Sequence, residues 1–346
     1  MKALDLADRP VIVIWEVTQR CALACRHCRA VAQPRRDPAE LIGDDVESAL
    51  DQIAEAKPQF FVLTGGDPAT RPDLLRIVTS AKARGLRVAI SPSATPRLLK
   101  QDFNEWRRAG VERISLSLDG SNAASHDAFR GVSGTWEWTR QALDKAHAAG
   151  LEFQINTTFC RSNIGEWDAF AAWIRLMQPK MWSVFLLVPT GRASLSEMLD
   201  AEQTELLLLR LADFREQSGI PVKTTEAPHF RRVLAQRSKP GRASAKPWTY
   251  APTNDGRGFV FISHRGDIQP SGFLPISCGN VRTERLLNVY RESPVFRALR
   301  DSDRLGGKCG RCEYRAFCGG SRARAFAING DYLAEEPCCS HQPKTL

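Results

Sequence analysis

Three cysteines stand within eight residues, Cys21, Cys25 and Cys28, in the segment WEVTQRCALACRHCRA. A C-x3-C-x2-C spacing packs three thiolates into one loop, enough to hold three irons of a [4Fe–4S] cluster and leave the fourth without a protein ligand. An open coordination position separates a reactive metal site from a closed structural one. The rival is zinc held by these thiolates and His27, but His27 is cramped between two ligands. A second group of thiols occupies the tail: Cys309, Cys312 and Cys318, then Cys338 and Cys339. Four thiolates there would fully ligate either an auxiliary iron–sulfur cluster or a structural zinc, and spacing alone leaves both open. The ten cysteines follow no secretory signal, so metal is a better explanation than disulfides.

These residues need elements to position them. Strand candidates run over 11–17, 59–65, 86–91, 111–120, 151–159 and 181–189. Apolar residues at helical spacing fill 44–57, 71–84, 96–109, 134–149, 163–178 and 201–218. Gly85, Gly110 and Gly150 read as helix C-caps feeding the next strand. Six β-α units in series predict an α/β fold, a parallel sheet partly closed into a (β/α)6 barrel over 1–220, with an open doubly wound sheet as competitor. The unusual residues then fall on one rim, at strand C-terminal ends: Cys21, Gly65-Gly66-Asp67, Ser91 and Ser93, Asp119, Asn156 and Pro189–Arg192. Beyond residue 220 the rhythm stops. A basic linker is expected over 221–257, and a cysteine-rich domain over 258–346 with a strand at 258–263 and a helix near 283–300.

Charge is uneven. Residues 1–220 hold 27 basic and 28 acidic side chains, against 21 and 11 in 221–346. Lys223, Arg231, Arg232, Arg237, Lys239, Arg242 and Lys246 face only Glu226 before Trp248. The stretch reads either as a solvated linker or as a surface steering an anionic substrate. Nucleic acid is disfavoured, because no arginine-rich motif interleaved with aromatics accompanies the charge. No apolar run approaches the ~18 residues of a membrane span.

The cysteine loop directly after a first strand resembles the radical S-adenosylmethionine (SAM) superfamily. The resemblance implies a [4Fe–4S] cluster whose open iron binds SAM, reductive cleavage to a 5′-deoxyadenosyl radical, and hydrogen abstraction from substrate. Thr64-Gly65-Gly66-Asp67-Pro68 looks like the family's second-strand glycine motif, whose backbone binds the SAM amino group; the family usually has Glu at Asp67. Ser91, Ser117 and Asp119 sit where the family binds SAM's ribose and carboxylate. Arg130 resembles a recurring residue that either pairs with that carboxylate or braces a loop. The segment Leu187–Arg192 (LVPTGR) resembles the one passing near the adenine, and His27 is implied to pack over the cofactor.

The tail resembles the SPASM/twitch extension, which implies an auxiliary [4Fe–4S] cluster on Cys309, Cys312, Cys318 and Cys339. Cys338, Cys278 and Cys160 are then non-ligating. GFVFISHRGDIQPSGFLP and the segment around GGSRARAFAINGDYLAEEP resemble the branch that modifies tetrapyrrole side chains in haem biosynthesis, including a decarboxylase of iron-coproporphyrin. That implies a carboxylated tetrapyrrole substrate, a reduced ferredoxin- or flavodoxin-type electron donor and a cytoplasmic setting. A peptide-modifying maturase is the runner-up, weakened because only about ten residues precede the first strand, too few for a leader-binding domain. A non-catalytic iron–sulfur or zinc protein is the remote third reading.

Overall fold

The computed structural model describes residues 5–238 and 252–344. Nine strands form one sheet: β1 (Ile12–Thr18), β2 (Phe60–Gly65), β3 (Val88–Ile90), β4 (Val111–Ser117), β5 (Glu152–Phe159), β6 (Met181–Leu186), β7 (Val222–Thr225), β8 (Phe259–Ile262) and β9 (Ile268–Gln269). Their order is β7-β6-β5-β4-β3-β2-β1-β8-β9. All neighbours from β7 through β8 are parallel, and only β8–β9 is antiparallel. The two ends of the sheet do not pair with each other among the described residues, so the barrel stays open.

The helices are α1 (Asp44–Ala56), α2 (Leu74–Ala83), α3 (Pro96–Leu99), α4 (Phe103–Ala109), α5 (Ala123–Arg130), α6 (Thr135–Ala148), α7 (Trp167–Met177), α8 (Ala201–Ser218), α9 (Phe230–Arg237), α10 (Leu286–Glu292), α11 (Pro294–Arg300), α12 (Gly307–Gly310) and α13 (Arg322–Asn329). None is long and apolar enough to cross a membrane. Alternation along the strands decides what faces them. Val13, Trp15 and Val17 of β1, Phe61 and Leu63 of β2, and Trp182 and Val184 of β6 are fully buried in the main core with residues of the helices. Each such side chain contributes about 1.5–3 kcal/mol by leaving water. Between them, Ile14, Val62, Asn156 and Phe185 are only half-buried and line the opposite, concave face.

Several boundaries differ from expectation. The helix expected over 96–109 is two, because Asp102 caps a new start by accepting from Asn104 N at 2.8 Å. The helix near 283–300 also splits, where Pro294 opens α11 and cannot donate a backbone hydrogen bond to α10. Gly85, Gly110 and Gly150 do lie at positive φ after their helices. The expected linker over 221–257 holds β7, paired with β6, and α9; Lys239, Arg242, Lys246 and Trp248 lie outside the described residues. β8, expected to open a separate domain, extends the barrel sheet beside β1.

The tail is tied to the barrel by one buried arginine. Arg324 of α13 pairs with Glu336 at 3.0 Å, both side chains 1% exposed. It also donates to the carbonyls of Leu186 and Leu187 after β6 and to that of Glu226 after β7. A buried ion pair stays favourable only when its remaining donors are satisfied, and here the satisfying groups are strand-end carbonyls.

Candidate active site and tail thiol pocket

The cysteine loop leaves β1 and is pinned by backbone bonds. Cys21 N donates to Gln33 O at 2.8 Å and Arg26 N to Phe129 O at 3.1 Å. Each of its three sulfurs faces a donor. Leu23 N lies 3.3 Å from Cys21 Sγ, Ala32 N 3.5 Å from Cys28 Sγ, and Arg130 Nη1 3.4 Å from Cys25 Sγ. Donors of this kind favour the thiolate that binds metal. Burial works the other way on Cys21, pushing its thiol up to about 11 against the hydrogen bonds from Ser93 and Leu23 N.

Glycines let three other segments close on this loop. A Cβ on Gly65 would lie 2.4 Å from Thr18 O, and one on Gly66 2.4 Å from Arg20 O. Gly131 and Gly191, both at positive φ, would meet Ala24 O at 2.6 Å and Cys28 O at 2.4 Å. The Gly-Gly pair is therefore required by the approach of β2 to the loop that carries Cys21. Gly66 N and Asp67 N donate to Thr18 O and Arg20 O at 2.8 and 2.7 Å.

Asp67 and Asp119 are occupied internally. Asp67, 1% exposed, accepts from Ala69 N, Ser93 N and Thr95 Oγ1, and burial still lifts its carboxyl to about 6. Its side chain therefore fixes the loop after β3, which brings Ser93 Oγ to 3.5 Å from Cys21 Sγ. Asp119 accepts from Thr158 N at 2.7 Å and pairs with Arg130 Nε at 3.1 Å. Arg130 thus spans Asp119 and Cys25. Ser91 and Ser117 are half-buried at the ends of β3 and β4. Leu187 is buried with Phe129, Cys160, Met198 and Cys338 under the rim. His27 stacks on Phe129 with ring centroids 4.5 Å apart, and its Nδ1 has no partner among the described residues.

Two further features emerge, one at the end of the LVPTGR segment and one, built on Glu16 and Arg29, that the sequence did not single out. Arg192, whose N donates to Cys28 O, keeps Nε and Nη2 buried and unpartnered among the described residues. Under the same loop, Arg29 pairs with Glu16 of β1 at 2.9 Å and lies 4.4 Å over the Phe261 ring; Glu16 also meets His264 Nδ1 at 2.7 Å. The carboxylate inside the otherwise apolar VIVIWEV was the available signal, since a charge on a buried strand demands a partner.

In the tail, one pocket is lined by Cys309, Cys312, Cys318 and Cys339. Burial drives the Cys318 thiol up to about 12, helped by the neighbouring Cys339 and Cys309. Glu336 N donates to Cys309 Sγ at 3.3 Å and Tyr314 N to Cys312 Sγ at 3.4 Å. Cys338 turns away, its Sγ 3.2 Å from Leu199 O on the barrel side. Cys160 lies against Ser162 Oγ at 3.1 Å, and Cys278 packs against the main core. His341, also at the pocket, is tied to Glu313 at 3.1 Å; these two and Cys312 place ligand atoms within 4.8 Å of one another. The four thiols suit a cluster or a metal ion by their chemistry, and the three rim sulfurs suit an open cluster.

Residues 15–174 match the model of the radical SAM superfamily. The chain is 39% identical to a protein named AdoMet-dependent heme synthase from Nitratidesulfovibrio vulgaris, over 97% of this chain and 93% of that one. It is 36% identical to a protein of the same name from Methanosarcina barkeri, over 98% and 99%. Among solved structures, Streptococcus suis SuiB bound to S-adenosylmethionine aligns with a TM-score of 0.70 at 16% identity, over 96% of this chain and 78% of that one, a likeness of fold.

Proposed function

Because this chain belongs to the radical SAM superfamily, enzymes that use a [4Fe–4S] cluster and S-adenosylmethionine, we propose that it removes carboxyl groups from a carboxylated tetrapyrrole in haem-type cofactor biosynthesis. The observation that carries this reading is the end-to-end similarity to two proteins named heme synthases. Bound groups would supply a radical that abstracts hydrogen from the substrate at the rim and a one-electron carrier in the tail.

In this reading Cys21, Cys25 and Cys28 hold the rim cluster, and Gly65, Gly66 and Asp67 fix the loop that presents them. Ser91, Ser117 and Leu187 lie along the SAM-binding side, with Asp119 acting through Arg130. Arg192 offers its two unpartnered nitrogens to an anionic group beside Cys28. Cys309, Cys312, Cys318 and Cys339 hold the auxiliary cluster. An anionic substrate accords with the basic C-terminal third. Lys223 has no acidic partner among the described residues, and Arg231 and Arg257 donate only to backbone carbonyls. Phe273, half-buried with Arg29 6.0 Å from its ring centroid, offers a flat macrocycle an aromatic surface beside a cation. Reduced ferredoxin or flavodoxin and a cytoplasmic setting fit the reducing chemistry.

The test is anaerobic incubation of the reconstituted protein with iron-coproporphyrin, SAM and a reductant, followed by mass analysis. Loss of carboxyl groups from the propionates is expected. An unchanged tetrapyrrole under conditions that release 5′-deoxyadenosine would overturn the substrate and move the reading to a peptide.

A further inference from the structure

The first turn of α9, in the stretch that reads as a linker, faces the tail cysteines. His229, the residue at its N-terminal cap, and Arg232 line the same pocket as Cys309, Cys312, Cys318 and Cys339. His229 is fully buried, and neither ring nitrogen has a hydrogen-bond partner among the described residues. Arg232 is 3% exposed; its Nη1 donates to Glu205 at 2.8 Å, while its Nε is left without an acceptor. A buried donor left unmade is costly, so two such groups beside four thiols imply an acceptor that the polypeptide does not provide. An imidazole carries an N–H in either charge state, and a guanidinium always does. The sulfurs of a four-thiolate iron–sulfur cluster are acceptors with net negative charge.

We propose that His229 and Arg232 donate hydrogen bonds to the sulfurs of the auxiliary cluster, so that α9 sets its reduction potential. The inference rests on the iron–sulfur reading of the tail. Reduction adds a negative charge to the cluster, so donors aimed at its sulfurs stabilise the reduced form and raise the potential. The cluster then becomes a better electron acceptor, the property a decarboxylation needs when it leaves an electron on the product. His229 is here a positioning and tuning residue, one that ligates no iron.

The experiment is an anaerobic redox titration, followed by electron paramagnetic resonance, of His229→Leu and His229→Gln. Both are made in the full-length Cys25→Ala background, where the tail cluster is observed alone. Both are expected to keep the iron and sulfide content of their parent. The Leu variant should titrate at a clearly lower potential, with the Gln variant, which retains an N–H, between it and the parent. A Leu variant at the parent potential overturns the proposal. So does loss of tail iron in both variants, which would make His229 a ligand or a scaffold. If the Leu variant does not fold, the Gln variant decides alone: an unshifted potential overturns the proposal and a shifted one supports it. Zinc or no metal in the parent's tail would overturn the auxiliary-cluster reading itself, an outcome separable from an unshifted potential in a protein that holds the cluster.

Discussion

The rim and the tail each gather cysteines, and they are built in opposite ways. At the rim, three sulfurs sit in a loop closed down by backbone: glycines of β2, of the turn after α5 and of the turn after β6 press against Thr18, Arg20, Ala24 and Cys28 carbonyls. In the tail, four thiols converge among side chains, with Arg232, Lys308 and Arg315 in the pocket wall. A three-thiol site leaves room for a reacting molecule, and a four-thiol site leaves none. The rim loop is closed down by glycines of neighbouring segments, and the tail pocket takes part of its wall from α9.

Breaking each site should separate their duties. The largest effect is expected from Cys25→Ala: release of 5′-deoxyadenosine from SAM should fall to background, measured by chromatography, while tail iron stays. Cys312→Ala should remove about half the iron and abolish product, yet leave SAM cleavage detectable. Arg324→Leu should strand Glu336 in the interior and cost about 3–5 kcal/mol, seen as a large drop in Tm and loosened tail binding. Gly191→Ala, forced to positive φ against Cys28 O, should cost about 1–3 kcal/mol and lower cluster incorporation at the rim alone, read by iron analysis. The smallest effect belongs to Cys338→Ala, with iron at both sites unchanged; Cys339→Ala beside it should lose the tail iron. An equal loss from both would erase the distinction between neighbouring cysteines that point opposite ways.

Much of this was legible along the chain. The first six strands follow from their β-branched and apolar runs to within a few residues, because one face of each is buried against the helices. Cys21, Cys25 and Cys28 announce themselves by spacing. Asp67 and Arg130 were visible as site residues, but not their partners within the protein, since a carboxylate at a strand end can face a ligand or its own loop. β7 and α9 were hidden by composition: Lys223, Arg231 and Arg232 read as solvated charge, whereas Arg232 is buried against Glu205. The Arg324–Glu336 pair was hidden as well, because nothing along a chain says which charges will be taken out of water together.

The sequence by itself determined the chemistry at the rim, the family and the sheet that carries it. Ligand spacing and strand periodicity are local properties, written within a few residues of one another. Only the tertiary structure decided that Cys339 faces the pocket and Cys338 the barrel, that glycines let neighbouring segments close on the cysteine loop, and that His229, without a partner among the described residues, stands beside the tail thiols. Those are relations between segments dozens to hundreds of residues apart. They exist only once burial has fixed which polar groups keep a partner and which are left waiting for one.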